Sequence, residues 1–148
     1  MTHSPLRLAT PADAEEAFYQ AIRLADIDAM MAVWCEDEEI VCTHPGGARL
    51  VGHDLIRAGW QALFQSGIRL HIELSQQITW HNALMSVHNV VETIRPEDGS
   101  PPQAPLVATN VFSFGKQGWR LLSHHASLSA GLPLTQALSE SLSKRVLH

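Results

Sequence analysis

The first periodic signal along the chain is helical. From Ala14 the apolar residues fall at positions 14, 17, 18, 21, 22 and 25, the stripe of an amphipathic helix. Thr10 supplies a cap, Pro11 suits the first helical position, and Asp13, Glu15 and Glu16 place negative charge at the positive end of the helix dipole. A break at Ala25-Asp26 starts a second short helix with Asp26 as cap and Ile27, Met30, Met31 and Trp34 on one face, ended by the acidic run Glu36 to Glu39. A short strand over Ile40 to Thr43, the turn His44-Pro45-Gly46-Gly47 and a second run, Arg49 to Val51, read as a tight hairpin. Gly52 and His53 open a third helix with Ile56, Trp60, Leu63 and Phe64 on its buried stripe and Gly67 just past its end.

The period then changes to two. Ile68, Leu70, Ile72 and Leu74 alternate with Arg69, His71, Glu73 and Ser75, as in a half-buried strand. Three more such runs cover Leu84 to Ile94, Leu106 to Phe114 and Trp119 to Leu128, separated by Trp80-His81-Asn82, by the proline-rich Arg95 to Pro105, and by Gly115 to Gly118. Leu134, Leu138, Leu142 and Val146 recur every four residues and predict a C-terminal helical tail over 130–148. Segregated helices followed by consecutive strands predict one α+β domain, its core about 12–129, with a curled, mostly antiparallel sheet wrapping the long first helix.

Composition narrows the function. The 148 residues are 45% hydrophobic and 17% charged, enough for a packed core. A net charge of −5 gives no basic field for nucleic acid or an anionic membrane, so neither is expected as a partner. The N-terminus has no apolar signal segment and no run approaches 18 apolar residues, so the expected location is the cytoplasm. Cys35 and Cys42 lack redox or zinc spacing and read as free thiols. The nine histidines form no ligand-spaced set, and no nucleotide, dinucleotide or serine-nucleophile motif is present, so no metal and no cofactor are expected.

The element order, with Ala-Asp-Ile-Asp at 25–28, Val-Trp-Cys-Glu-Asp-Glu at 33–38, Cys-Thr-His-Pro-Gly-Gly at 42–47, Leu-Val-Gly-His-Asp-Leu-Ile at 50–56 and Gly-Trp-Arg-Leu-Leu-Ser-His-His-Ala-Ser at 118–127, resembles the NTF2-like superfamily and, more narrowly, its SnoaL-like branch. The resemblance implies a cone of bent sheet closed by helices, a pocket at its wide end and a homodimer packed through the outer sheet face. Ketosteroid isomerase, polyketide cyclases, scytalone dehydratase and a kinase association domain share that fold. Registered on the isomerase, Phe18 stands where the oxyanion tyrosine would be, His44 at the base and Asn110 at the protonated acid. None of the three is kept, whereas Trp34 and Trp60 keep the aromatic pocket positions in kind.

The replacements keep a chemical logic. An imidazole at His44 suits proton movement near neutrality. The Asn110 amide can polarise a carbonyl, and it is the polar member of the strand face Ala108, Asn110, Phe112, Phe114. His124 and His125 are adjacent in a strand and point to opposite faces. The isomerase register places His125 inside with Ser123 and Ser127, while the kinase association domain's pocket arginine falls at Ala126, which favours His124; His125 is taken as the inner residue. The expected site therefore has His44, Asn110 and His125 as reacting groups and Phe18, Trp34, Trp60, Phe64 and Phe112 as pocket wall. It would take a small hydrophobic carbonyl or hydroxyl compound for isomerisation, dehydration or cyclisation. A non-catalytic ligand-binding or assembly module is the alternative. Val107, Thr109 and Val111 on the opposite strand face suit the homodimer contact.

Overall fold

The structure, a computed structural model, describes residues 7–129. The tail expected to be helical over 130–148 lies outside the described residues.

Helix α1, Pro11–Leu24, begins as its sequence dictates: the Thr10 hydroxyl accepts from the Asp13 amide at 3.0 Å. It ends at Ala25, whose φ of 51° turns the chain left-handed. Helix α2, Ile27–Ala32, is capped by Asp26, whose carboxylate accepts from the Ala29 amide at 3.0 Å. Strands β1 (Val41–Thr43) and β2 (Arg49–Val51) form the short hairpin, followed by α3 (His53–Gln65). Four long strands complete the chain: β3 (Leu70–His81), β4 (Met85–Pro96), β5 (Leu106–Gly115) and β6 (Gly118–Leu128). Among the described residues no helix is long and apolar enough to cross a membrane.

The six strands form one sheet in the order β2-β1-β6-β5-β4-β3, antiparallel throughout except where β1 runs parallel to β6. Helix α1 lies across the concave face and packs on β3, β5 and β6. Phe18, Met30, Trp34, Ile40, Ile56, Phe112 and Leu121 are fully buried between them. Each such side chain contributes about 2 kcal/mol by leaving water. Gly118, at φ 89°, has no Cβ to collide with the Leu8 carbonyl, so the segment before α1 lies against the turn into β6 and Leu8 accepts from the Trp119 amide at 2.9 Å.

Two strands depart from the alternation read in the sequence. Strand β3 runs through Trp80 and His81, which were expected to separate strands; a bulge between Ser75 and Ile78, with Gln76 at φ 51°, breaks the period that would have shown the continuation. In β4 the buried face is Ser86, His88, Val90, Glu92 and Ile94, while Val87 and Val91 lie on the outer face and are only half-buried.

Candidate functional site

Register across the sheet sets the site. Cys42, His124, Asn110 and His88 are direct neighbours on β1, β6, β5 and β4, and all four are buried. Onto this row α1 lays Glu15 and Tyr19, one helical turn apart and both buried. The result is a connected cluster of polar groups beneath the helix.

The protons in the cluster follow from what each group can do. A carboxylate only accepts, so the Asn110 amide must turn its NH2 toward Glu15 (Nδ2 to Oε2, 3.3 Å), from where it also donates to the Tyr19 hydroxyl at 2.9 Å. The Asn110 oxygen therefore faces His124, and at 2.6 Å it accepts from Nδ1–H. Tyr19, already accepting from Asn110, donates its own proton to Glu92 Oε2 at 2.6 Å. On the far side His88 Nδ1–H donates to Glu15 Oε2 at 2.9 Å, the Ser86 hydroxyl lies 2.9 Å from His88 Nε2, and Gln77 donates to Glu15 Oε1 at 2.9 Å. The bulge in β3 is what sets Gln77 apart from the ladder.

Burial governs the electrostatics. It raises the Glu92 carboxyl above its ordinary range, opposed by the Tyr19 hydrogen bond, and raises the Tyr19 phenol, reinforced by the Glu92 charge. It pushes His124 down to about 3, with the nearby His44 and His125 adding to the effect, so His124 is a neutral imidazole near pH 7. His44 is lowered by burial as well, and the Cys42 thiol is pushed up to about 12. Perturbed groups gathered in one place mark a functional candidate.

The cluster opens toward solvent at one end. A cleft of about 270 Å³ between α1 and β3 is lined by Glu15 and Tyr19, with Ile72 and Leu74 of β3 and Arg23 beside them. Arg23 is turned to Glu97, 3.8 Å away. A second cleft, about 350 Å³, lies between the acidic loop Glu36 to Glu38 and the β5–β6 turn; its lining contains none of the row.

The expected reacting trio does not converge. Asn110 occupies the centre of the cluster. His44 is half-buried at the end of β1 and packs on Trp60, ring centroids 4.5 Å apart, with its Nε2 3.8 Å from the Cys42 sulfur. His125 is exposed on the outer face, paired with Thr109, and the inner position belongs to His124. That corrects the choice between the two histidines: β1 pairs with β6 at Cys42 and His124, and Cys42 is an inward residue. Phe114 is likewise 43% exposed, its ring 5.5 Å from that of Trp119.

The five expected wall residues are buried and pack on one another or on the histidines. Phe18 stands edge-on to Trp34 and Trp60 at 6.3 and 5.6 Å, Phe64 lies 5.9 Å from Trp60, and Phe112 lies 4.9 Å from His88. Neither cleft is lined by any of the five. Glu15, Tyr19, His88 and Glu92 were not singled out in the sequence. The i, i+4 spacing of Glu15 and Tyr19 beside the apolar stripe was the signal available for the first two.

A family model for the SnoaL-like domain matches residues 12–131. The chain belongs to that family. This SnoaL-like chain is 35% identical to a solved structure from Thiobacillus denitrificans provisionally assigned as a calcium/calmodulin-dependent protein kinase type II association domain, over 84% of this chain and 98% of that one, with a TM-score of 0.74. A structure from Streptomyces avermitilis provisionally assigned as a dehydratase of the NTF2-like family is 25% identical over 78% of this chain and 91% of that one, with a TM-score of 0.72. The F-box protein SKIP8 of Arabidopsis thaliana is 25% identical over 114 residues, 75% of this chain; the match spans 46% of that protein's length. The NTF2-like superfamily and its α+β fold are thus those expected from the sequence.

Proposed function

We propose that this chain is a small-molecule-binding SnoaL-like domain whose ligand is met by the cluster of Glu15, Tyr19, Glu92, Asn110 and His124 and is approached through the cleft between α1 and β3. One observation carries the reading: two carboxylates, a phenol, an amide and an imidazole are bonded in a single buried chain, and two of them, Glu15 and Tyr19, also line that cleft. Such a chain supplies proton exchange to a carbonyl or hydroxyl compound, the chemistry of isomerisation, dehydration or cyclisation. The similarity to a structure assigned as a dehydratase supports the same class. His44 is the acid/base at the other end of the row, reached from the turn after β1.

The test is a titration with small carbonyl and hydroxyl compounds, followed by the amide and side-chain NMR signals of the protein. Hits are expected to shift Tyr19 and Leu74, and Tyr19→Phe is expected to weaken them about tenfold, the worth of one buried hydrogen bond. Affinities unchanged by Tyr19→Phe and Glu15→Gln would overturn the reading.

A second observation favours assembly beside binding. On the outer sheet face Ile78 and Trp80 are 54% and 58% exposed, next to the half-buried Val87 and Val111. We propose that two copies of the chain pair through this face, in keeping with the similarity to an association domain. Sedimentation at micromolar concentration giving monomer alone refutes it.

A further inference from the structure

We propose that the cleft between α1 and β3 takes a hydroxy acid lengthwise, its carboxylate on Arg23 and its hydroxyl on Tyr19. The inference names the ligand class of the site proposed above and rests on that reading.

Three cross-links fix the direction of the cleft. Glu15 is bonded to Gln77, late in β3. Tyr19 is bonded to Glu92, which is paired with Leu74 in the middle of that strand. Arg23 meets Glu97, whose amide donates to the Arg69 carbonyl just before β3 begins. Helix and strand therefore run antiparallel, and Glu15, Tyr19 and Arg23 follow one another along the cleft at intervals of about 6 Å. The cleft is charged unevenly as a result. Glu15 and Glu16 stand at one end and Arg23 at the other, with the side chains of Ile72 and Leu74 between.

Each end selects a group. An anion is repelled by the glutamates and drawn to Arg23, whose contact with Glu97 is loose, 3.8 Å between two half-exposed side chains, so the guanidinium can turn to a carboxylate in the cleft. At Tyr19 the hydroxyl accepts from Asn110 and gives its proton to Glu92, which leaves one lone pair and no proton to offer. A ligand hydroxyl donates to that lone pair, whereas a ketone finds no donor there. An ammonium brings three donors to a floor on which Glu15 already takes bonds from Gln77, His88 and Asn110. The aliphatic spacer lies on Ile72 and Leu74.

The experiment titrates the full chain with 6-hydroxyhexanoate, hexan-1-ol and 6-aminohexanoate, followed by NMR. The hydroxy acid is expected to shift Tyr19, Leu74 and the Arg23 side chain and to bind about fivefold more tightly than the alcohol, a preference that narrows at high salt. Arg23 is exposed, so Arg23→Gln keeps the fold and is expected to bring the acid and the alcohol to equal affinity. Equal affinities in the unmodified chain, with both compounds shifting Tyr19, overturn the carboxylate end and leave the small-molecule reading standing. A preference that survives Arg23→Gln overturns it as well, and tighter binding of 6-aminohexanoate overturns the hydroxyl end. No shift with any of the three at millimolar concentration overturns the hydroxy-acid proposal, and the reading under it falls only if the wider titration is also blank.

Discussion

The two faces of β4 both mix polar and apolar residues, but they are completed in different ways. Its inner face carries Ser86, His88 and Glu92, buried at 1, 3 and 2% exposure, interleaved with the buried Val90 and Ile94. Its outer face carries Val87 and Val91, half-buried beside the exposed Ile78 and Trp80 of β3. Polar groups sit inside where α1 supplies partners for His88 and Glu92 and His88 in turn partners Ser86, since a satisfied buried network costs little and an unsatisfied one costs a great deal. Apolar groups also lie outside, where Ile78 and Trp80 stay more than half exposed among the described residues. The same strand thus contributes bonded polar groups to the interior and, beside β3, a partly exposed apolar patch to the outer face.

That contrast is broken most forcefully at Glu15. Glu15→Ala leaves His88, Asn110 and Gln77 without their shared acceptor, and urea denaturation is expected to show a loss of about 3–5 kcal/mol; a loss below about 1 kcal/mol shows that the inner face does not depend on its partners. Acidification is next in size. His124 titrates at about 3 in the folded chain, below its ordinary value near 6.5, so its contribution is complete above pH 6.5 and is lost as pH falls toward 3. His44 acts in the same direction. Glu92, raised by burial, acts in the opposite direction, contributing below the ordinary carboxylate range and losing that contribution as pH rises through its raised value. The imidazole effect amounts to about 2 kcal/mol between pH 7 and pH 5, and His124→Gln is expected to flatten that slope in thermal melts; an unchanged slope places the titration elsewhere.

The outer face is probed with Trp80→Glu. It is expected to shift sedimentation from dimer to monomer while changing the unfolding free energy of the monomer by no more than about 0.5 kcal/mol; a large loss of monomer stability makes Trp80 part of the fold rather than of an interface. The smallest effect belongs to the rim, where Arg95 meets Glu73 at 2.9 Å with both side chains about half exposed. Arg95→Ala is expected to cost under about 0.5 kcal/mol in denaturant titration.

How much of this was readable beforehand differs by element for physical reasons. Helix α1, its Thr10 cap and the break at Asp26 were legible because capping is local chemistry. Asn110 was legible as an inward residue because Ala108 and Phe112 on its own face outweigh it. His124 and His125 were not distinguishable from their own strand, since two adjacent polar residues weigh equally; the deciding contact is the parallel pairing with Cys42, some eighty positions away along the chain. Strand β4 misleads because it carries valines on both faces, Val87 and Val91 outward and Val90 inward, so its alternation does not tell which face is buried. Glu15 was read as a residue serving the helix dipole, and its burial becomes visible only once β4 and β5 lie beneath α1. The fold and family were therefore accessible from pattern, whereas the site was assembled by contacts that pattern does not encode.

Those contacts also order events in time. The bonds from α1 to the sheet span 62, 73, 91 and 95 positions, whereas the β3–β4 and β5–β6 hairpins close locally. Loop closure over such distances is slow, so the hairpins are expected to form before the long-range contacts of α1 and of the β1–β6 pairing, which spans a similar distance. The amides of α1 are therefore expected to exchange with solvent through openings that spare β5 and β6 and that expose the polar interior.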